Sequence, residues 1–118
     1  MTVKVYGIST CGTVKKAKKW LEARGVAYEW CDFRKTPPAD SLVESWAGTF
    51  GAAKMRNTSG GAYRALGEEK KTWDEVRWTQ AFQADAMLIK RPIIERDGKP
   101  VMVGFRGDDE QIAALLVD

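Results

Sequence analysis

Histidine is absent from this sequence of 118 residues. No Ser-His or Cys-His dyad can form, and no imidazole can bind a metal ion. Cysteine is scarce. Cys11 and Cys31 are the only two, too few for a four-cysteine zinc site, and no metal centre is expected. Standing twenty residues apart in a chain with no sign of export, they are not expected to form a structural disulfide. No apolar run approaches the ~20 residues needed to cross a bilayer, so no membrane attachment is expected. The opening Met1-Thr2-Val3-Lys4-Val5-Tyr6 lacks a charged region followed by an apolar one. No signal peptide is read there, and a cytoplasmic location is expected. Any chemistry must use thiol, carboxylate, amine or guanidinium groups.

What is present is an ordinary globular balance, 44% hydrophobic and 30% charged, and the length suits a single domain over 1–118. The net charge of +3 is uneven: residues 1–59 carry ten Lys/Arg against five Asp/Glu, and residues 60–118 carry nine against eleven. The first half could attract anions. The whole-chain excess is too small to argue for direct nucleic-acid binding.

The run Thr2–Tyr6, closed by Gly7, reads as a strand. After Ser9-Thr10-Cys11-Gly12-Thr13, the residues Val14, Ala17, Trp20 and Leu21 recur at helical spacing, with Lys15, Lys16, Lys18 and Lys19 on the other face and Gly25 as a stop. Val26, Tyr28 and Trp30 alternate with Ala27 and Glu29, the pattern of a second strand closed by Cys31. After Thr36-Pro37-Pro38, Asp40 or Ser41 could cap a helix burying Leu42, Val43 and Trp46 and ending by Gly48–Gly51. Residues 56–61 read as a loop, and Tyr63–Leu66 as a helical turn. Thr72 and Glu75 have capping-box spacing ahead of a helix that turns Val76, Trp78 or Thr79, and Phe82 inward. From Leu88 to Phe105 the pattern is a hairpin turning at Asp97-Gly98. Asp108 and Gln111 are spaced to box the last helix, with Ile112, Leu115 and Leu116 apolar. The five tryptophans read mostly as core. The order β-α-β, helices, β-β-α is that of an α/β, thioredoxin-like mixed four-stranded sheet with a helical insertion at about 38–86.

Cys11 is the most informative residue. A thiol just before a helix points at unsatisfied N–H groups and the positive end of the macrodipole, and both favour thiolate over thiol. Gly12 lets a bound group approach the backbone, Thr13 supplies a hydroxyl, and Lys15 and Lys16 add positive charge. One loop therefore offers a nucleophile and an oxyanion cradle. The alternative is an inert cysteine filling space near a strand end. Position 14 is Val, so Cys11 has no resolving thiol three residues on; a mixed disulfide there needs a second thiol from outside. Cys31 reads as a small hydrophobe on a strand.

Arg91-Pro92 is the second constellation. In a thioredoxin-like layout the proline opening the third strand is often cis and packs beside the reactive cysteine; an edge proline in trans is the alternative. Arg91 could reach an anion held at Cys11. Arg106, after the fourth strand, could point to the same end of the sheet. Arg56 and Asn57 open the loop at 56–61. Taken singly, each arginine reads first as a solvated surface charge, and only Arg91 gains weight from the cysteine loop.

Taken together, these residues resemble the ArsC/Spx family, and most nearly its small YffB-type branch. The matching segments are Tyr6-Gly7-Ile8 with Cys11-x-Thr13-x-Lys15-Lys16-Ala17-x-x-Trp20-Leu21; Asp32-x-Arg34; Asn57-Thr58-x-Gly60 with Arg64-x-Leu66; and Ile89-Lys90-Arg91-Pro92 with Gly98-Lys99-Pro100 and Gly104-Phe105. They spread over nearly the whole chain. The resemblance implies a thioredoxin-like sheet with a helical insertion. It implies that Cys11 is the thiol that in the arsenate reductases attacks arsenate and is released by glutathione and glutaredoxin. Of the three arginines those reductases place around the oxyanion, Arg91 and Arg106 match two. Arg56 lies near the third, where Asn57 holds the YffB-type position. The Spx regulators carry a Cys-x-x-Cys switch and bind the RNA polymerase alpha subunit; Val14 breaks that switch here.

The expected function is that of a glutathione-dependent thiol/disulfide reductase or arsenate reductase-like oxidoreductase acting through Cys11. Arg91 would act beside Cys11, with Gly12, Thr13, Lys15, Arg56, Asn57, Pro92 and Arg106 as anion- or thiol-binding candidates. Glutathione is the expected co-substrate, glutaredoxin a possible partner, a small oxyanion or mixed disulfide the substrate, and no tightly bound cofactor is expected. The alternative is an Spx-like adaptor that binds RNA polymerase or another protein.

Overall fold

The computed structural model describes residues 1–117. In chain order its main elements are β1 (Val3–Gly7), α1 (Gly12–Ala23), β2 (Glu29–Asp32), α2 (Asp40–Phe50), α3 (Ala52–Met55), α4 (Gly61–Arg64), α5 (Glu75–Ala84), β3 (Ile93–Arg96), β4 (Lys99–Val103) and α6 (Asp109–Leu116), with 3-10 turns at Glu68–Thr72 and Ala86–Leu88. The chain divides into two compact units: Met1–Thr36 with Arg91–Asp118, and Pro37–Lys90 between them in sequence. None of the helices is long and apolar enough to cross a membrane, among the described residues.

The first unit is a four-stranded sheet ordered β2-β1-β3-β4. β1 runs parallel to β2 and antiparallel to β3, and β3 is antiparallel to β4. This is the thioredoxin-like arrangement. Side chains alternate across a strand, and Val3, Val5 and Ile94 meet Ala17 and Leu21 of α1 and Ile112 and Leu116 of α6 in one buried cluster. The hairpin turns on Asp97 (φ 51) and Gly98 (φ 79), two left-handed residues that match the twist of the flanking strands. Asp108 accepts from the Gln111 N–H at 2.8 Å, while Gln111 Oε1 accepts from the Asp108 N–H at 3.0 Å, closing the box that opens α6.

Two details of this unit depart from expectation. β2 starts at Glu29, not Val26. The Val26 N–H donates to the Leu21 carbonyl at 2.9 Å in the turn closed by Gly25 (φ 68), so it is unavailable to a neighbouring strand, although Val26 and Tyr28 still pack against the core. Leu115 lies on the outer side of α6 and is 41% exposed.

The second unit is helical and buries Val43, Trp46, Met55, Trp78, Phe82, Leu88 and Ile89. Trp78 stacks on Tyr63 at 6.2 Å, nearly parallel, and meets Trp73 edge-on at 5.0 Å. Trp46 and Trp78 are buried here, and Trp20 and Trp30 pack on the sheet unit's core. The helix starts differ from the sequence reading. Ala39, not Asp40 or Ser41, is the N-cap of α2, after Pro37-Pro38, and Gly48 lies inside that helix, which ends at Gly51 (φ 81). α5 is capped by Asp74, whose carboxylate accepts from the Arg77 N–H at 2.8 Å. Thr72 and Glu75 form no box: the Thr72 hydroxyl donates to the Glu69 carbonyl and Glu75 accepts from the Ala52 N–H. With the helix start so placed, Val76 is 66% exposed, and Trp78, Ala81 and Phe82 form the buried stripe. The expected loop holds over residues 56–60, between α3 and α4, which begins at Gly61.

Candidate thiol site at the entrance of the first helix

Antiparallel pairing with β3 and β4 brings distant sequence to the end of β1. β3 opens where β1 closes, and the Gly104 N–H donates to the Pro92 carbonyl at 2.8 Å. The Phe33 N–H donates to the Gly7 carbonyl at 2.8 Å on the other side. The segment Ile8–Cys11 leaves the sheet at that end, folded back by a hydrogen bond from the Cys11 N–H to the Ile8 carbonyl at 3.2 Å.

Cys11 is the N-cap of α1, with extended backbone (φ −76, ψ 123), and its carbonyl accepts the Lys15 N–H at 3.1 Å. Its neutral side chain makes no cap hydrogen bond of ordinary geometry. The thiolate is nevertheless favoured. Partial burial pushes the thiol pKa up, but the N–H groups of Val14 and Thr13 and the Arg91 guanidinium outweigh it, and the pKa lies below its ordinary value. No carboxylate in the first turn of α1 opposes this. A β-carbon on Gly12 would meet nothing within 4 Å, so the space in front of the helix entrance is open.

Arg91 and Pro92 are joined by a cis peptide bond, and the Arg91 guanidinium is among the groups that favour the Cys11 thiolate. Cys11, Gly12, Thr13, Arg91 and Pro92 therefore meet at one end of the sheet. Lys15 is exposed on the next turn of α1. Arg106 is exposed two residues beyond Gly104, leaving the sheet at the edge that holds Pro92. Arg56 and Asn57 belong to the other unit. Arg56 bridges Ile89 there and its guanidinium lies 5.3 Å from the Trp78 ring centre, while the Asn57 N–H donates to the Leu88 carbonyl at 2.8 Å. Among the described residues, no group of three cysteine and carboxylate side chains is placed to hold a metal ion.

Both cysteines are free. Cys31 pairs in register with Tyr6, whereas its neighbour Trp30 pairs with Val5. Trp30 joins the α1 side of the sheet, with the Lys18 ammonium 3.5 Å from its ring centre. Cys31 therefore faces the opposite side. Burial pushes its thiol up, and Glu29 adds to the rise. Two neighbours of this face escaped the sequence reading: Tyr6, whose hydroxyl donates to Glu95 at 2.9 Å, and Glu95, only 4% exposed. A carboxylate in an apolar β run was their one visible signal.

The sequence pattern of the ArsC family matches residues 6–115. The chain belongs to the ArsC family. It is 36% identical to the uncharacterized protein YusI of Bacillus subtilis over 112 residues, 92% of this chain and 94% of that one. It is 27% identical over 100 residues to an arsenate reductase of Neisseria meningitidis, 82% of this chain and 86% of that one. Among solved structures it superposes on a YFFB protein with a TM-score of 0.87 at 32% identity, covering 98% of this chain and 99% of that one. An ArsC chain with arsenate reductases among its relatives and a thiolate-stabilising helix entrance has the equipment of a thiol-dependent oxidoreductase.

Proposed function

We propose that this ArsC protein is a glutathione-linked thiol reductase acting through Cys11. The observation that carries the reading is the place of Cys11 as the N-cap of α1, where the Val14 and Thr13 N–H groups and the Arg91 guanidinium favour its thiolate. With no histidine to serve as base, a thiolate preformed by these donors is the one route to a competent nucleophile. In the first step the Cys11 thiolate attacks the glutathione sulfur of a mixed disulfide. A new S–S bond joins Cys11 to glutathione, and the substrate leaves as a thiolate that takes a proton from water. A second glutathione thiolate then attacks this adduct, releasing glutathione disulfide and restoring Cys11. Cys31, on the opposite sheet face, supports an outside thiol as the resolving partner. Glutaredoxin could supply it in place of free glutathione.

Arsenate is the other substrate to assay. The relationship to the Neisseria meningitidis reductase supports it, as does the guanidinium of Arg91 beside the nucleophile. The test is turnover of glutathione mixed disulfides, then of arsenate, by wild type and Cys11→Ser in the presence of glutathione. Loss of turnover in Cys11→Ser is the expected result. Turnover that survives the substitution overturns the assignment, and absence of any turnover in wild type would favour a protein-binding adaptor.

A further inference from the structure

α1 carries four lysines in five residues, at 15, 16, 18 and 19, with no acidic residue in its first turn. Lys18 is committed to the Trp30 ring. Lys15, Lys16 and Lys19 are exposed, and none forms an ion pair among the described residues, where basic side chains elsewhere do: Lys4 with Glu29, Arg24 with Asp109, Lys71 with Glu68 and Arg96 with Asp97. Glu22, further along the helix, accepts from the Tyr28 hydroxyl at 3.0 Å. Residues four apart stack on one helix face, so Cys11, Lys15 and Lys19 lie in line, with Lys16 flanking Lys19. An un-neutralised basic stripe thus begins at the nucleophile.

We infer that this stripe is a docking surface for an acidic peptide segment of a protein whose own disulfide, or thiol adduct, is delivered to Cys11. The inference rests on the reading of Cys11 as an exchange nucleophile. A partner that must present sulfur to a thiolate is a peptide and not a nucleic acid. Length argues for more than a tripeptide. Lys15 is about 6 Å and Lys19 about 12 Å along the helix from Cys11, whereas a chain advances at most about 3.6 Å per residue. Carboxylates three to five residues from the partner's cysteine would meet Lys19; those of a tripeptide would stop near Lys15.

The test uses nine-residue peptides with one cysteine blocked as a mixed disulfide with thionitrobenzoate, whose release is coloured. One peptide has Asp or Glu three to five residues from the cysteine, and the other has Asn or Gln there. With Cys31→Ser protein at low ionic strength, the acidic peptide is expected to react about tenfold faster. At about 1 M salt the ratio should approach one. Lys19→Glu and Lys16→Glu/Lys19→Glu should abolish or invert it. Because the readout is a ratio between peptides, a change in the reactivity of Cys11 itself cancels. A wild-type ratio near one, or a ratio indifferent to charge reversal, overturns the docking surface while leaving the reductase reading intact if the neutral peptide reacts briskly. If neither peptide reacts faster with Cys31→Ser protein than with Cys11→Ser protein, which keeps Cys31, the reductase reading fails. Fluorescence anisotropy of the acidic peptide, its cysteine replaced by serine, on Cys11→Ser protein then decides docking alone: salt-sensitive binding lost on charge reversal supports it, and equal binding of both peptides overturns it.

Discussion

A β-carbon on Gly7 would lie 2.7 Å from Val14 Cγ2, with Arg91 Cβ and the tip of Trp30 each 3.6 Å away. The last residue of β1 is thus the floor on which the first turn of α1 rests, and Val14 is one of the two residues whose N–H groups hold the Cys11 thiolate. Gly7→Ala should push that turn away from the sheet. Overpacking of this kind costs about 1–3 kcal/mol, and the displaced donors should raise the Cys11 pKa. Adding Val14→Ala to Gly7→Ala should restore most of the pKa, because it removes the methyl that clashes. The pH dependence of iodoacetamide alkylation in a Cys31→Ser background measures both. An unchanged midpoint in Gly7→Ala would mean the thiolate does not depend on this contact.

Arg91 should matter to the thiol more than to the fold. Arg91→Met keeps most of the length and removes the donor and the charge, so the Cys11 midpoint should move upward toward the ordinary thiol value of ~8.5, and the rate at neutral pH should fall with the thiolate fraction. Arg91→Lys should recover part of the charge but not the planar donor geometry. An Arg91→Met midpoint equal to wild type would remove Arg91 from the site.

The two cysteines should separate by pH. Cys11 has a lowered pKa, so it stays thiolate above that value and loses reactivity as pH falls through it. Cys31 has a raised pKa and gains reactivity only at higher pH. Near neutral pH, limited alkylation followed by peptide mass analysis should find label on Cys11 well ahead of Cys31. Equal labelling would contradict the geometry of both sites.

Tyr6 and Glu95 form a buried hydrogen bond across β1 and β3. Burial raises the phenol pKa, and the hydrogen bond to Glu95 adds to it. Since the folded value is raised, the neutral phenol contributes stability that is whole below the unfolded value near ~10 and declines as pH rises beyond it. Tyr6→Phe should cost about 1–3 kcal/mol at pH 7 by leaving a buried acceptor without this donor. It should also flatten the alkaline loss of stability. Urea unfolding at pH 7 and above pH 10 checks both; an alkaline limb unchanged in Tyr6→Phe would assign that loss to another group.

Asp74 and Thr72 offer a sharp contrast in the helical unit. Asp74→Ala removes the cap of α5 and should cost about 1 kcal/mol, whereas Thr72→Ala should cost clearly less, since its hydroxyl serves only the preceding turn. A larger effect at Thr72 in thermal unfolding would restore the capping-box reading.

How much of this was legible in the residues follows from the range of each interaction. Local chemistry was enough to read the order of elements, the Asp97-Gly98 turn, the Asp108–Gln111 box and the place of Cys11 at a helix entrance, because each depends on neighbours within four residues. Tertiary structure decided the rest. The Val26 N–H was taken by a helix end, so β2 began later than its alternation suggested. The cap of α5 passed from Thr72 to Asp74, because Glu75 was drawn to the Ala52 N–H, and that start carried Val76 outward. Above all, the pairing of β1 with β3 carried Arg91 across eighty residues of chain to the Cys11 sulfur. A side chain's type is written in the sequence, but its partner is chosen by which strands share hydrogen bonds, and that choice belongs to the whole fold.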